Sequence, residues 1–209
     1  RVLWRGPGAR GWVGEARGLI HGAADFVGLL LAQEAMQAEM LRQARTDPLT
    51  GLLNRRAFFE ELERRLERLD RQSQPGALLF VDLDNLKPVN DRRGHEAGDA
   101  AIRAAAGLLR AAVRPTDLVA RIGGDEFALW LDGADARIAV ARAERLVADA
   151  PLALAHHAPD EGTRMSLSAG IAIRAPGTRE AASHLMIRAD AAMYAAKRGG
   201  KAGWSLAEP

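Results

Sequence analysis

Four carboxylates stand in two tight pairs along this chain. Asp82 and Asp84 close the stretch "ALLFVDLD", and Asp125 and Glu126 lie inside "LVARIGGDEFALWL". The first stretch is an apolar run of strand length that ends in charge. The second reads as two short apolar strands bent around a glycine pair, a hairpin. If strand and hairpin share a sheet, the two carboxylate sources converge at its edge. Such an all-oxygen donor set suits Mg²⁺, with Mn²⁺ equally acceptable, rather than zinc. Bound cations would also make the adjacent charges of Asp125 and Glu126 tolerable. Magnesium in turn implies phosphates. "DLDNLKPVNDRRGHEAGD" supplies Lys87 as a point charge for phosphate, then Asn90 and Asp99, an amide and a carboxylate able to grip a guanine edge. Lys197 and Lys201 in "YAAKRGGK" add a cationic pair at a helix end. Together these residues describe a site for a nucleoside triphosphate.

The elements that must hold them follow from periodicity and breakers. Pro48 and Gly51 enforce a turn, after which Asn54 is a good N-cap for the helix "RRAFFEELERRLERLDRQ". The buried strand comes next, then a loop, the Ala-rich helix "AAIRAAAGLLRAAV" and the hairpin. Beyond it the pattern predicts a helix near residues 134–148, a loop containing "APLALAHHAPDEG", a strand "RMSLSAGIAI", a helix "REAASHLMIRADAAMYAAKR" and a short strand near "AGWSL". Helices alternate with strands while one tight hairpin demands an antiparallel pair. The expected fold class is therefore α/β (α+β), a mixed central sheet surrounded by helices. An N-terminal helix over about 14–45 carries Ile20, Val27 and Leu41 at heptad spacing, with Ala23, Leu30 and Ala44 at the partner positions. Glu34 and Gln37 interrupt that seam, which fits either a coiled-coil dimer or a helix packed on a surface. The expected division is a helical linker over 1–46 and a globular domain over 47–209.

At 209 residues, 48% of them hydrophobic, the chain has room for one α/β domain and a short extra element. It contains no cysteine, which excludes disulfides, thiolate metal sites and a cysteine nucleophile, and fits a reducing compartment such as the cytoplasm. The net charge is only +2, with acids and bases interleaved as in "EELERRLERLDR". That is the pattern of a solvated helix face and not of a nucleic-acid patch. Apolar runs such as "FVGLLLA" fall far short of the roughly 20 residues that span a bilayer. "RVLWRGPGARGW" lacks a signal pattern and reads as a cut from a longer chain. His156 and His157 have no partner spacing for zinc.

Five segments, "DPLTGLLNRR", "DLDNLKPVNDRRGHEAGD", "RIGGDEF", "SLSAGIA" and "ADAAMYAAKRGGK", resemble the GGDEF domain family, the diguanylate cyclases, in order and spacing from Asp47 to about Lys201. The resemblance implies a fold similar to the nucleotide cyclase core and a reaction in which two GTP give cyclic di-GMP and two pyrophosphates. It implies that Asp82, the Leu83 carbonyl and Asp125 hold the metals, that Lys87, Lys197 and Lys201 serve the phosphates with the backbone at Asn85 and Leu86, and that Asn90 and Asp99 read guanine. Asp125, or Glu126 beside it, would assist deprotonation, and His95 would either make a structural hydrogen bond or touch the nucleotide. Asn85 and Leu86 depart from a frequent aromatic, which leaves their amides unaffected. "RPTD", Arg114 to Asp117, lies where the family often carries a product-binding motif, with Arg145 as a further contributor, so feedback inhibition by cyclic di-GMP is expected. One GTP per domain implies catalysis by a homodimer whose geometry the N-terminal helix controls. That helix also resembles the end of a GAF-type domain, which implies an upstream sensory domain. The alternative from another class is a non-catalytic cyclic di-GMP receptor signalling through Arg114 and Asp117.

Overall fold

The computed structural model of the chain describes residues 14–208 apart from Glu161. Within the N-terminal helix the side chains of residues 14–19, 35, 37–39 and 41–44 are outside that description. The chain divides into two compact units, with the boundary between Ala44 and Arg45.

The first unit is the helix α1, Gly14–Arg45. Ile20, Val27 and Leu30 of the expected seam are half exposed, as are Phe26, Leu29 and Leu31 around them. The seam positions Gln37, Leu41 and Ala44 lie outside the described side chains, as do residues 11–13 of the segment resembling a GAF-type helix. No helix among the described residues is long and apolar enough to cross a membrane.

The second unit is built on a six-stranded sheet. Its strands are β1 (Leu53–Asn54), β2 (Gly76–Asp84), β3 (Leu118–Gly123), β4 (Glu126–Asp132), β5 (Ser166–Arg174) and β6 (Trp204–Leu206), in the spatial order β1-β3-β4-β2-β5-β6. β2 lies at the centre, antiparallel to both β4 and β5, whereas β1 and β6 add parallel edges, so the sheet is mixed as expected. Side-chain alternation along β2 sorts the core into two layers. Ala77, Leu79, Val81 and Leu83 face α4 (His95–Ala111) and α5 (Ala136–Ala153). Leu78 and Phe80 face α2 (Arg55–Gln72) and α6 (Ala182–Arg198). In α2 the buried Phe58, Leu62, Leu66 and Leu69 form one helical stripe, and Asn54 caps its start by accepting from the Ala57 amide at 2.9 Å.

Three local readings change. The segment after β2, expected as a loop, is a short helix α3 (Leu86–Arg93) followed at once by α4. Pro88 falls in the first turn of α3, where a missing N–H costs nothing. Asp99 consequently sits inside α4, whose N-cap position belongs to Gly94. α5 runs on to Ala153 and absorbs part of the expected following loop. The two-residue strand β1 went unforeseen because two residues carry no periodicity.

One guanidinium ties the start of this unit to the hairpin. Arg121 on β3 donates through Nε and Nη2 to the Gly124 carbonyl at 3.0 and 2.8 Å, and through Nη1 to both oxygens of Asp47 at 3.3 and 3.2 Å. Gly124 turns the hairpin with φ of +45°, a region glycine enters readily. Asp47 also accepts from the Thr50 amide and hydroxyl at 2.9 and 2.7 Å. Burial alone would raise its pKa, but the Thr50 hydrogen bonds and the Arg121 charge outweigh that and hold it below the ordinary 3.8. A group with a depressed folded-state pKa contributes stability above its unfolded value and loses it as pH falls through the folded one. Asp47→Asn should therefore lower unfolding stability at pH 7 by about 1–2 kcal/mol. In urea titrations repeated downward in pH, the gap to the parent should close below pH 3.8.

Candidate functional site

Strand parity places the chemistry. Asp82 and Asp84 share a face of β2 with Phe80, the face covered by α6. Antiparallel pairing sets Asp82 directly opposite Glu126 on β4, and the Leu83 amide donates to the Asp125 carbonyl at 3.0 Å. Like charges opposite one another are destabilising unless a cation intervenes. α6 supplies one: Lys197, in its last turn, places Nζ 2.7 Å from Asp82 Oδ2.

The surroundings shift both acids upward. Burial, then the neighbouring Asp125 and Asp84 charges, push the Asp82 carboxyl up to about 6 against the opposing pull of Lys197. Burial, then Asp125 and Asp190, raise Glu126, while Lys197 and Arg55 pull it down. Asp190 and Arg55 are site neighbours that sequence reading missed. Both lay inside motifs already singled out, "ADAAMY" and "NRR", yet nothing in their spacing pointed at the hairpin.

Asp84 behaves differently from its partner. It is 2% exposed and accepts from Ser166 Oγ at 2.7 Å, from Ser168 Oγ at 2.9 and 3.0 Å and from the Ala202 amide at 3.2 Å. Its charge is thus spent inside the protein, stitching β2 to β5 and to the turn after α6. An open cleft of about 340 Å³ remains beside Asp82, lined by Asp82 to Pro88, Asp125, Lys197 and Lys201. The N-terminus of α3, with Leu86 and Lys87 in its first turn, opens this stretch of the lining.

Asn90 lies on α3 and Asp99 on α4. The Asn90 side chain lies against the backbone of Gly98, the residue before Asp99, where a Cβ would stand 1.9 Å from Asn90 Oδ1. A side chain at residue 98 would displace the amide. His95 opens α4 and is exposed.

Arg114 and Asp117 form a turn before β3. One Asp117 oxygen accepts from the Arg114 amide at 2.9 Å and the other from the Asp132 amide at 3.2 Å, so backbone donors take the place of the surface ion pair its spacing allows. Asp132 also receives Arg65, Arg68 at 2.6 Å and Trp130 Nε1 at 2.8 Å, while Arg65 donates to the Thr116 carbonyl as well, fixing the turn to α2. Arg145 pairs with Asp149 on α5 at 3.4 Å. Among the described residues no hydrogen bond or ion pair joins it to that turn, although Arg142, one turn earlier, donates to the Ala112 carbonyl.

The donor set fits a hard divalent cation. Among the described residues no three acidic or histidine side chains form a cage. Mg²⁺, however, is ordinarily held by one or two carboxylates with substrate phosphates completing its shell. Asp82 and Asp125 line the same cleft and meet that requirement, and burial with two acidic neighbours makes the Asp82 charge one that a cation would stabilise. A raised folded-state pKa means stability that is complete below the unfolded value of 3.8 and is lost as pH rises through about 6. In metal-free buffer, Asp82→Asn should therefore be more stable than the parent above pH 6. Thermal melts should put the gain on the order of 1–2 kcal/mol at neutral pH, shrinking toward zero near pH 4.

Comparison with known proteins agrees with this geometry. The family described as "Diguanylate cyclase, GGDEF domain" matches residues 44–203. The chain is 40% identical over 172 residues to the bifunctional diguanylate cyclase/cyclic di-GMP phosphodiesterase MucR of Pseudomonas aeruginosa, covering 81% of this chain and 24% of that protein. It is 40% identical over 201 residues to the diguanylate cyclase TpbB of the same species, covering 88% of this chain and 44% of that one. It thus spans under half the length of either relative. Among solved structures, the coiled coil and GGDEF domain of DgcB from Caulobacter crescentus, in complex with c-di-GMP, superposes with a TM-score of 0.79 at 30% identity, covering 90% of this chain and 99% of that one. From the carboxylate hairpin to the lysines at the end of α6 and just beyond it, the cleft and the match over residues 44–203 lead to one conclusion: the chain belongs to the GGDEF diguanylate cyclase family.

Proposed function

We propose that residues 47–209 form a diguanylate cyclase domain that condenses two GTP into cyclic di-GMP with release of two pyrophosphates. The observation that carries this is the meeting, in one cleft, of Asp82 and Asp125 with Lys87, Lys197, Lys201 and the first turn of α3. Asp82, Asp125 and the Leu83 carbonyl would hold Mg²⁺ or Mn²⁺, which supplies charge neutralisation and polarisation of the α-phosphate when bound. Lys197 and Lys201 contribute fixed positive charge for the polyphosphate, Lys87 adds a third ammonium, and the Asn85 and Leu86 amides donate at the helix start. Asn90 and Asp99 take the guanine edge, with His95 close to the same face of α4.

The 3′-hydroxyl oxygen of one GTP forms a bond to the α-phosphorus of the other, the α–β bridging bond breaks, and pyrophosphate leaves. The hydroxyl proton passes to Glu126 or Asp125. Glu126 is the better acceptor, since its proton affinity is already raised by burial and by its acidic neighbours. One nucleotide per domain requires two domains face to face, a homodimer. The half-exposed Ile20, Val27 and Leu30 of α1 supply an apolar surface through which two copies pair. GTP as substrate and the lack of cysteine fit a cytoplasmic domain, and an upstream sensory domain acting on α1 would set the dimer geometry. Arg114, Asp117 and Arg145 bind product: the arginines stack on or grip guanine, and the unused Asp117 lone pairs accept from it.

Incubation with GTP and Mg²⁺ should release pyrophosphate and cyclic di-GMP, with specific activity rising with protein concentration, and Asp125→Ala should lower turnover at least 100-fold. No turnover at concentrations that force pairing, with tight cyclic di-GMP binding retained, would favour the receptor role instead. Arg114→Ala should keep progress curves straight at product levels that bend those of the parent. Unchanged curvature would remove the feedback site.

A further inference from the structure

The side chain of Asn85 makes none of the contacts expected of a residue at the start of a helix. Asn85 precedes α3 but has φ of 66° and ψ of 24°, and its side chain makes no capping hydrogen bond. An asparagine N-cap normally has extended backbone and accepts from an amide two or three residues on. Here Nδ2 donates to the Arg164 carbonyl at 2.8 Å, and Oδ1 accepts from Lys201 Nζ at 2.9 Å. Asparagine is the non-glycine residue that best tolerates the left-handed region, so this position keeps both its conformation and a bifunctional amide.

Lys201 needs such a hold. It lies beyond the end of α6 in a run of three positive φ values, Gly200 at 123°, Lys201 at 63° and Ala202 at 48°. Consecutive non-glycine residues in that region are strained and persist only where their surroundings enforce them. The buried Asp84 fixes the backbone of this turn through the Ala202 amide, leaving the long Lys201 stem exposed. The adjacent Asn85 then fixes its ammonium.

We propose that the Asn85 carboxamide is a positioning residue: braced by the Arg164 carbonyl, it aims the Lys201 ammonium at the polyphosphate in the cleft. The role rests on the nucleotide reading above. It differs from that reading's use of the Asn85 backbone amide, because only the side chain is involved.

Asn85→Gly tests it cleanly, since glycine retains the backbone conformation and the amide and loses only the carboxamide. Binding of a non-hydrolysable GTP analogue with Mg²⁺, followed by calorimetry, should weaken roughly five- to tenfold in Asn85→Gly, the scale of one ordinary hydrogen bond at an exposed position. In a Lys201→Met background the same change should have no further effect. Equal weakening in both backgrounds, or none in either, overturns the positioning role while leaving the nucleotide site intact. Failure of the parent chain to bind the analogue overturns the nucleotide reading, and this role with it.

Discussion

The register between β2 and β4 is the constraint on which the site depends. Seven consecutive partners from Gly76↔Asp132 to Asp82↔Glu126 run without a shift, and the last pair sets two carboxylates side by side on the face that α6 covers. A slip of one residue would turn Asp82 toward α4 and bury Leu83 under α6. The apolar residues that precede the acids prevent this, because Leu79 and Val81 belong to one core and Leu78 and Phe80 to the other. Hydrophobic sorting along the strand therefore pays for the electrostatic cost at its end.

That cost is met in two ways by two aspartates a single residue apart. Asp84 has its hydrogen-bond donors supplied by two serines and a backbone amide, so its charge is satisfied internally. Asp82 is buried with one lysine and two acidic neighbours, and burial first, then those acids, raises its pKa. A buried anion with complete hydrogen bonding holds a scaffold, while one lacking it invites a cation from outside. Loss of function on replacing Asp84 would accordingly report on the turn that carries Lys201 and on the seam with β5, and not on a metal ligand.

Much of this was legible beforehand because it is periodic or charged. The β2 run, the hairpin, the stripe of α2 and the Asn54 cap each follow from spacing, and the carboxylates and lysines of the cleft were identifiable by type. What escaped the sequence depends on distant partners. "DLDNLKPVNDRRGHEAGD" looked like a loop because its Pro, Gly and Asn are turn formers, yet Pro88 and Gly94 fall at helix starts. Spacing alone does not separate Asp82 from Asp84; the family resemblance singled out Asp82 for the metals, and only the positions of Ser166, Ser168 and Ala202 show what Asp84 does instead. The reach of Arg121 to Asp47 spans 74 residues and has no local signature.

The ends of the sheet bear on how this domain lives in a crowded solution. Its edge strands are two and three residues long, Leu53–Asn54 and Trp204–Leu206, while the long strands β2, β4 and β5 are paired on both sides or flanked by these short guards. An edge of that length presents too few unpaired backbone groups to template a neighbouring strand. The short guards themselves therefore offer a meeting copy little ladder, and a neighbouring strand would have to pair with the stretches of β3 and β5 that β1 and β6 leave uncovered.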